Sequence, residues 1–382
     1  MRILYLNHAR FPSEKAHSRQ MAEVCSAVVR SGHDVTMVVP TVGKDVPLDP
    51  RAAFGVSPSF PVERLRHFDP WTTPLIPGFL KTLVGTWFFN RALRAYLRAH
   101  PADLLYLRSP LLLPTAVNAG APVLLELHSL PRWRRQNFVR LCNRCRRVAC
   151  LTSPMRDLLV SRGVDASRVA VEGDAADPAR FRNLPAAADA RTRFGIPEGR
   201  TVVGYVGRLK TMEEEKGIAV LLQALARLKE QQTWFGFIVG GPEGDRRIYE
   251  NRARQLGLTG EDVRFTGHVP PADVPAALAA CDILAMPFPD IPHYRLYMSP
   301  LKMFEYMAAG RPIVTSDLPA VRDVLDESSA FFCRPGDAED LARTLEDVRQ
   351  HPEEAQRRAV EARGRVQEHT WEKRMGRILA LP

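Results

Sequence analysis

The stretch SPLKMFEYMAAGRPIVTSD, residues 299–317, decides how the rest of the chain is interpreted. Ser299 and Pro300 predict a helix start, because a Ser hydroxyl can accept hydrogen bonds from unpaired N–H groups there and Pro suits the first turn. The helix is expected to run from residue 301 to 309 and to end at Gly310. The apolar run that follows predicts a short buried strand. A helix, a turn and a strand are therefore expected in succession.

A carboxylate lies inside the apolar part of this helix. Glu305 is flanked by Met303, Phe304, Tyr306 and Met307. An unpaired carboxylate in such surroundings is costly, so we expect it to contact a partner such as a ligand hydroxyl. The start of the helix suits an anion, since its N–H groups and its dipole favour negative charge. A phosphate at the helix start and a hydroxyl-binding carboxylate one turn further on predict a nucleoside diphosphate site.

The same stretch resembles the second half of the donor motif in retaining glycosyltransferases of the GT4 family, which have the GT-B fold. Members usually carry two Glu separated by seven residues, followed by an Ala-Met-Ala-x-Gly-x-Pro pattern. Glu305 takes the second position, and Tyr297 stands at the first. A Ser-Pro-Leu-Lys variant without the first Glu also occurs in the family and is more similar. Because the first Glu contacts the donor sugar in the family, this departure leaves the sugar more open than the nucleotide. Neither the sugar nor the nucleobase can be identified from the sequence.

Length and composition agree with a two-domain α/β protein. The chain has 382 residues, with 45% hydrophobic and 25% charged residues, which suits a soluble protein with more than one core. Apolar runs alternate with helical patterns, which favours parallel sheets covered on both faces. The resemblance implies two doubly wound, Rossmann-like domains facing across a cleft. The expected ranges are an acceptor-side domain at 1–182, a crossing at 183–200, a donor-binding domain at 201–368, and a last helix at 369–382 that packs on the first domain.

Charge and the absence of apolar spans bear on location and partners. No run approaches the roughly 20 apolar residues that cross a bilayer, and the first residues are too quickly polar for a signal peptide, so we expect a cytoplasmic protein. The net charge of +10 could serve anionic ligands, an acidic membrane face or nucleic acid. No nucleic-acid-binding pattern accompanies it, so no nucleic-acid partner is expected.

One basic segment suggests a membrane surface. Arg132 to Arg147 holds seven Arg and no acidic residue, interleaved with Trp133 and Phe138. Interfacial helices have this composition, and the resemblance includes members that act on lipid acceptors. A peripheral position on the inner face of an anionic membrane is one interpretation, and a solvated helix in a basic protein is the other.

Neither a metal nor a separate cofactor is predicted. The six Cys are scattered, as in a reduced compartment. Cys142 and Cys145 form a C-x-x-C without a second pair, and ordinary packing thiols are the preferred interpretation. No Asp-x-Asp pattern stands at a strand–loop position. The nucleotide sugar would therefore be a co-substrate, with cations and helix dipoles in place of Mg²⁺.

Two cations begin the second domain's candidate site. Arg208 directly follows the strand TVVGYVG, and Lys216 precedes the next helix. The resemblance implies that both bind the donor diphosphate, where fixed cations can neutralise a leaving group. The alternative is a structural ion pair with the Glu run at 213–215. The remaining expected donor contacts are backbone and helix-start groups together with Glu305: Gly207, Gly241, Gly267, His268, Val269, Ser299, Pro300, Leu301 and Glu305.

The first domain is expected to hold the acceptor. His128 ends the strand PVLLELH, where parallel sheets gather ligand-binding groups, and the resemblance implies a position near the transferred sugar. An ordinary strand-end His is the alternative. The loop after the first strand supplies further candidates, each of which could instead be part of a solvated loop: His8, Arg10, Lys15, His17 and Ser18.

The resemblance implies a metal-independent glycosyltransferase that retains the anomeric configuration, with a glycan, lipid-linked or small-molecule hydroxyl or amine as acceptor. No carboxylate stands out as a covalent nucleophile, so the leaving phosphate is expected to take the acceptor's proton. A non-catalytic nucleotide-sugar-binding protein and a GT-B nucleotide-sugar epimerase remain alternatives. A dehydrogenase is disfavoured, because no Gly-x-Gly-x-x-Gly follows the first strand.

Overall fold

The computed structural model describes residues 1–13, 16–41, 49–70, 76–131, 135–211 and 214–380. The chain forms two compact units. The first comprises Met1–Gly173 together with Trp371–Pro382, and the second comprises Asp174–Thr370.

The first unit is built on a parallel seven-stranded sheet in the order β3-β2-β1-β4-β5-β6-β7. The inner strand β1 is apolar and buried after Arg2, as expected for a strand covered on both faces. The order reverses between β1 and β4, and ligands usually bind at the carboxyl ends of strands beside such a switch. The elements are β1 (Arg2–Leu6), α1 (Ala16–Arg30), β2 (Asp34–Pro40), α2 (Pro50–Phe54), β3 (Val62–Leu65), α3 (Gly78–Ala99), β4 (Leu104–Leu107), α4 (Leu113–Ala116), β5 (Val123–Leu127), α5 (Arg135–Cys142), β6 (Arg147–Cys150), α6 (Ser153–Ser161) and β7 (Val169–Val171).

The second unit repeats this design with a parallel six-stranded sheet in the order β12-β11-β8-β13-β14-β15. The switch lies between β8 and β13, so the site is expected at their carboxyl ends. The elements are α7 (Ala187–Phe194), β8 (Thr201–Val206), β9 (Lys210–Thr211), β10 (Glu214–Glu215), α8 (Ile218–Leu228), β11 (Trp234–Val239), α9 (Glu243–Gln255), β12 (Val263–Gly267), α10 (Val274–Ala279), β13 (Ile283–Met286), α11 (Pro292–Leu296), α12 (Leu301–Ala309), β14 (Ile313–Ser316), α13 (Pro319–Arg322), β15 (Phe331–Cys333), α14 (Ala338–Gln350) and α15 (Pro352–Arg365). The predicted doubly wound α/β architecture is confirmed in both units.

The boundary between the units lies earlier than the sequence indicated. Residues 183–200, predicted as a crossing, include α7 and belong to the second unit. Phe181 is fully buried in that unit's core, and the Phe194 ring lies 5.1 Å from that of Phe237. These apolar anchors place the change of unit after Gly173.

The last helix, α16 (Trp371–Leu379), belongs to the first unit and packs against α1. Its apolar face is buried through Trp371, Met375 and Ile378. The first and last segments of the second unit are paired near this helix. The Ala176 N–H donates to the carbonyl of His369 over 3.1 Å, and Ala176 forms a parallel bridge with Thr370.

Every helix in the described ranges is either too short or too polar to span a lipid bilayer.

Candidate functional site

Three strand ends meet tightly in the second unit. The Gly207 N–H donates to Val239 O over 2.9 Å, and the Gly240 N–H donates to Gly267 O over 2.7 Å. A Cβ at Gly240 would lie 2.4 Å from Gly207 O, so only glycine fits there. The structure therefore brings together the predicted Gly207 and Gly267 at one edge of the sheet, beside Gly241. Gly240, which the sequence analysis passed over, makes the close approach.

A short antiparallel pair, β9 with β10, occupies the loop between Arg208 and Lys216. The Lys216 N–H donates to Leu209 O over 3.2 Å and closes this loop. Gly217 then starts α8 with a φ of +84°, and a Cβ there would lie 1.6 Å from Pro287 O. Lys216 is thus held at the start of α8 by backbone contacts that no other residue at position 217 would allow.

The cations at this junction have no acidic partner in the described part of the chain. Among the described residues no carboxylate forms an ion pair with the Lys216 or Arg208 side chain, and Glu215 instead accepts from the Tyr249 hydroxyl at 3.3 Å. Glu213 lies outside the described residues. Burial, and then the charge of Arg208, lower the pKa of Lys216 to about 8. Two close, unneutralised cations favour an anionic ligand over the ion pair that was the alternative.

Helix α12 leaves its N-terminus available. We expected Ser299 to cap it, but the Ser299 hydroxyl accepts from the Asp174 N–H over 2.7 Å, and Pro300 stands at the cap position without a side-chain hydrogen bond. The helix is fixed to β8 through Tyr306, whose hydroxyl accepts from the Val206 N–H at 2.7 Å and donates to Val206 O at 3.2 Å. Its start can therefore offer N–H groups to an anion.

Glu305 has a protein partner that the sequence analysis did not foresee. Its carboxylate lies 3.7 Å from Arg180 Nη1, and the two side chains keep 21% and 25% of their exposure. This separation is longer than a direct hydrogen bond. Arg180 can therefore stabilise the negative charge of Glu305 electrostatically, while the carboxylate remains able to accept hydrogen bonds from a ligand.

The remaining predicted donor contacts lie around the turn after β12. Gly267 ends that strand with a φ of +69°. His268 is exposed, whereas Val269 is half-buried and packs on the core. The backbone of this turn is held at Gly267, whose carbonyl accepts from the Gly240 N–H over 2.7 Å. A role for this turn in donor binding stays a prediction.

His128, in the first unit, is oriented by a buried carboxylate. Its Nε2 lies 2.6 Å from Oε1 of Glu126, which is fully buried. Burial, and then the charge of Arg108, lower the pKa of His128 to about 4. His128 is thus neutral at pH 7, with its proton on Nε2 facing the carboxylate and Nδ1 left as an acceptor.

Glu126 was not predicted, although it precedes His128 by two residues and so shares its face of β5. The other groups that donate to its carboxylate come from α1, β4 and α16: Gln20 Nε2 at 2.8 Å, the Tyr106 hydroxyl, and Arg374 Nη1 at 3.2 Å. Burial disfavours the charged form, but Arg374 and these hydrogen bonds hold the pKa of Glu126 well below its usual range.

The predicted acceptor residues are only partly brought together. His8 lies near the unpredicted Arg108, since burial and the Arg108 charge lower its pKa. Ser18 is buried and its hydroxyl bonds that of Ser13 at 2.6 Å, so it packs locally, while Arg10 is exposed. His17 lies half-buried on α1. Lys15 lies outside the described residues.

Cysteines and metals add no further site. The six Cys are buried thiols without a disulfide, and burial raises the pKa of Cys145 to about 12. Within the described ranges no three His, Cys, Asp or Glu side chains are grouped so as to hold a metal ion.

Two family models match the chain. "Glycosyltransferase Family 4" covers residues 17–180, and "Glycosyl transferases group 1" covers residues 200–351. Among similar proteins, the 2-deoxystreptamine glucosyltransferase of Streptomyces kanamyceticus is 34% identical over 209 residues, 54% of this chain and 51% of that protein. The D-inositol 3-phosphate glycosyltransferase of Salinispora arenicola is 32% identical over 217 residues, 52% and 46%. The matches span about half the length of these relatives.

Solved structures resemble the whole chain. The sucrose-phosphate synthase of Thermosynechococcus elongatus superposes with a TM-score of 0.77 at 21% identity, covering 100% of this chain and 98% of that one. Anabaena HepE, solved with UDP-glucose, gives 0.74 at 20% identity, covering 100% and 98%. At this identity the likeness concerns the fold.

Proposed function

We propose that this protein transfers a sugar from a nucleoside diphosphate sugar to an acceptor. The chain belongs to the GT4 family of glycosyltransferases with the GT-B fold. The observation that carries the proposal is the pair of cations Arg208 and Lys216 at the carboxyl end of β8, which no carboxylate of the described ranges neutralises. Helix α12, whose start has no side-chain cap, is fixed to the same strand through Tyr306. Charge and N–H groups in this arrangement suit a diphosphate.

The nucleotide is found by a thermal-shift screen of UDP, GDP, ADP and CDP against the matching nucleosides. We expect one diphosphate to raise Tm while its nucleoside does so far less, because the phosphates supply the contacts to Lys216 and Arg208. If none of the four diphosphates stabilises the protein, the donor site is not where we place it.

The names of two relatives suggest which acceptors to assay first. Two relatives are named for 2-deoxystreptamine and D-inositol 3-phosphate, so these two compounds are the first acceptors to assay. We infer that the acceptor binds near His8, Arg108 and His128. A hydroxyl group of the acceptor could then donate a hydrogen bond to Nδ1 of His128. Product formation that needs no acceptor would indicate an epimerase, and donor binding without turnover would indicate a binding protein.

The proposed chemistry retains the anomeric configuration and uses no metal ion or separate cofactor. Arg208, Lys216 and the start of α12 would stabilise the departing diphosphate, whose oxygen takes the acceptor's proton. Proton NMR of the first-formed product reports the configuration, and activity in EDTA reports the metal requirement. An inverted linkage would contradict the mechanism while leaving the donor site intact.

Glu305 is expected to bind the ribose hydroxyls of the donor. Hydrogen bonds to a charged group are worth about 1.5–3 kcal/mol, so Glu305→Ala should weaken nucleotide affinity roughly 10- to 150-fold. Calorimetric titration measures this. Glu346→Ala, which removes a surface ion pair with Arg349, is the matched control and should bind normally. Unchanged affinity in a folded Glu305→Ala protein would remove Glu305 from the site.

A membrane contact through residues 132–147 is proposed on electrostatic grounds. In α5 the Phe138 ring is 8% exposed and Arg140 is exposed, so the described part offers charge but no inserted ring; Trp133 lies outside it. Sedimentation with liposomes should show binding that rises with anionic lipid and falls with salt. Such binding would place a cytoplasmic protein on the inner membrane face, and its absence would leave a solvated helix.

A further inference from the structure

Lys302 places a buried amine in the second unit. It is the second residue of α12 and is 7% exposed. Its Nζ is buried, and no hydrogen-bond partner lies within reach among the residues that the structure describes. Nζ lies 3.3 Å from the ring centroid of Tyr205 and 5.7 Å from that of Phe288. Contact with ring faces compensates only part of the cost of burying an ammonium group.

The amine lies next to the turn at Gly207, which leads from β8 into the proposed donor site. A Cβ at Gly207 would stand 3.1 Å from Lys302 Nζ. The amine therefore packs directly against the Gly207 backbone, at the carboxyl end of β8. Gly207 is followed by Arg208, whose carbonyl accepts from the Tyr205 hydroxyl over 2.7 Å. Lys302 is therefore anchored in the structure that positions the two predicted phosphate ligands.

Three charged or titratable groups face this amine. Tyr205 approaches from β8, Lys216 from the turn before α8, and Glu305 from the next turn of α12. Burial and then the charge of Lys216 lower the pKa of Lys302 well below its usual range, while Glu305 opposes them. A methionine would fill the same space without this conflict, so packing does not explain a lysine here. An added negative charge near Gly207 would remove the conflict.

We propose that Lys302 is a third cationic ligand of the donor's diphosphate, donating from Nζ to a phosphate oxygen beside Gly207. The identity of the anion as a nucleotide diphosphate rests on the proposed function. Its four-carbon stem supplies the reach, since rotation about the outer bonds moves Nζ off the Tyr205 ring.

Lys302→Met tests this, because methionine keeps an unbranched side chain of similar length and removes only the amine. Calorimetry would use inorganic pyrophosphate and the nucleoside diphosphate found in the screen. We expect the variant to bind both roughly 10- to 150-fold more weakly, the range for losing a charged hydrogen bond, and to bind the nucleoside as the wild type does. Lys229→Met, at the far end of α8 where the amine pairs with Asp262 at 3.6 Å, is the matched control.

Proton uptake separates a phosphate ligand from a packing residue. Titrations near pH 7 in buffers of different ionisation enthalpy should show less proton uptake on pyrophosphate binding in Lys302→Met than in the wild type, because a bound anion raises the lowered pKa of Lys302. Equal affinity and equal uptake in the two proteins would overturn the inference while leaving the proposed function standing. Conversely, pyrophosphate binding that depends on Lys302 in a protein that binds none of the four nucleotides would support the anion site and refute the nucleotide.

Discussion

Lys216→Ala should lower kcat by about 10²–10³, the usual effect of removing one preorganised group that faces developing charge. Negative charge on the diphosphate grows as the sugar leaves, so an ammonium beside it stabilises the transition state more than the intact donor. Gly217 and the Leu209 carbonyl hold the Lys216 backbone in place, so the amine is positioned before the reaction begins. Arg208→Ala should act in the same direction.

The pH dependence of binding gives an independent check on Lys216. Its pKa of about 8 means that the amine is charged below that pH and neutral above it in the protein without ligand. Nucleoside diphosphate affinity should therefore fall as pH rises through about 8, and this fall should be smaller in Lys216→Ala. Lys229→Ala controls for the loss of a lysine in the same unit. If kcat of Lys216→Ala stays within a few-fold of the wild type, Lys216 is not a leaving-group ligand.

The positions of Arg208 and Lys216 in the fold could be predicted because both depend on sequence that is local. Arg208 follows its strand directly, Lys216 precedes the next glycine-started helix, and both sit at a strand–helix junction whatever the rest of the chain does. The Ser299 cap was wrong for the opposite reason. A Ser before a helix favours capping, but the Asp174 N–H, 125 residues away, takes that hydroxyl.

The buried charges illustrate what sequence cannot supply. Glu126 lies in an apolar strand of a parallel sheet, and that pattern alone indicates a buried carboxylate in need of a partner. The partner, Arg374, is 248 residues further on, and only the packing of α16 against the first unit brings it there. Lys302 is similar, since its position among apolar residues was visible but its location behind Gly207 depends on how α12 meets β8.

The ion pair between Arg374 and Glu126 should dominate the stability of the first unit. The two side chains are 1% and 0% exposed, and Arg374 also donates to Gly173 O at 2.6 Å and to Glu172 O at 3.3 Å. Removing one partner of a buried pair leaves an uncompensated charge and costs about 3–5 kcal/mol. We expect Arg374→Met to lower the free energy of unfolding by that amount at pH 7, measured by urea denaturation.

The cost of Arg374→Met should depend on pH with a defined sign. The pKa of Glu126 is depressed in the folded protein, so its ion pair contributes fully above the unfolded carboxyl pKa of about 4.3, and the contribution disappears as the pH falls through the folded pKa. The deficit of the variant should therefore shrink below about pH 4.3, where Glu126 can be buried as a neutral acid.

Arg377→Met provides the control on the same helix, because Arg377 is 42% exposed and pairs with Glu172 at 3.0 Å, a partly solvated pair worth about 1 kcal/mol or less. Adding Glu126→Gln to Arg374→Met should recover most of the lost stability, since no buried charge then remains. A double variant as unstable as Arg374→Met would mean that Arg374 acts through packing and its carbonyl contacts rather than through Glu126.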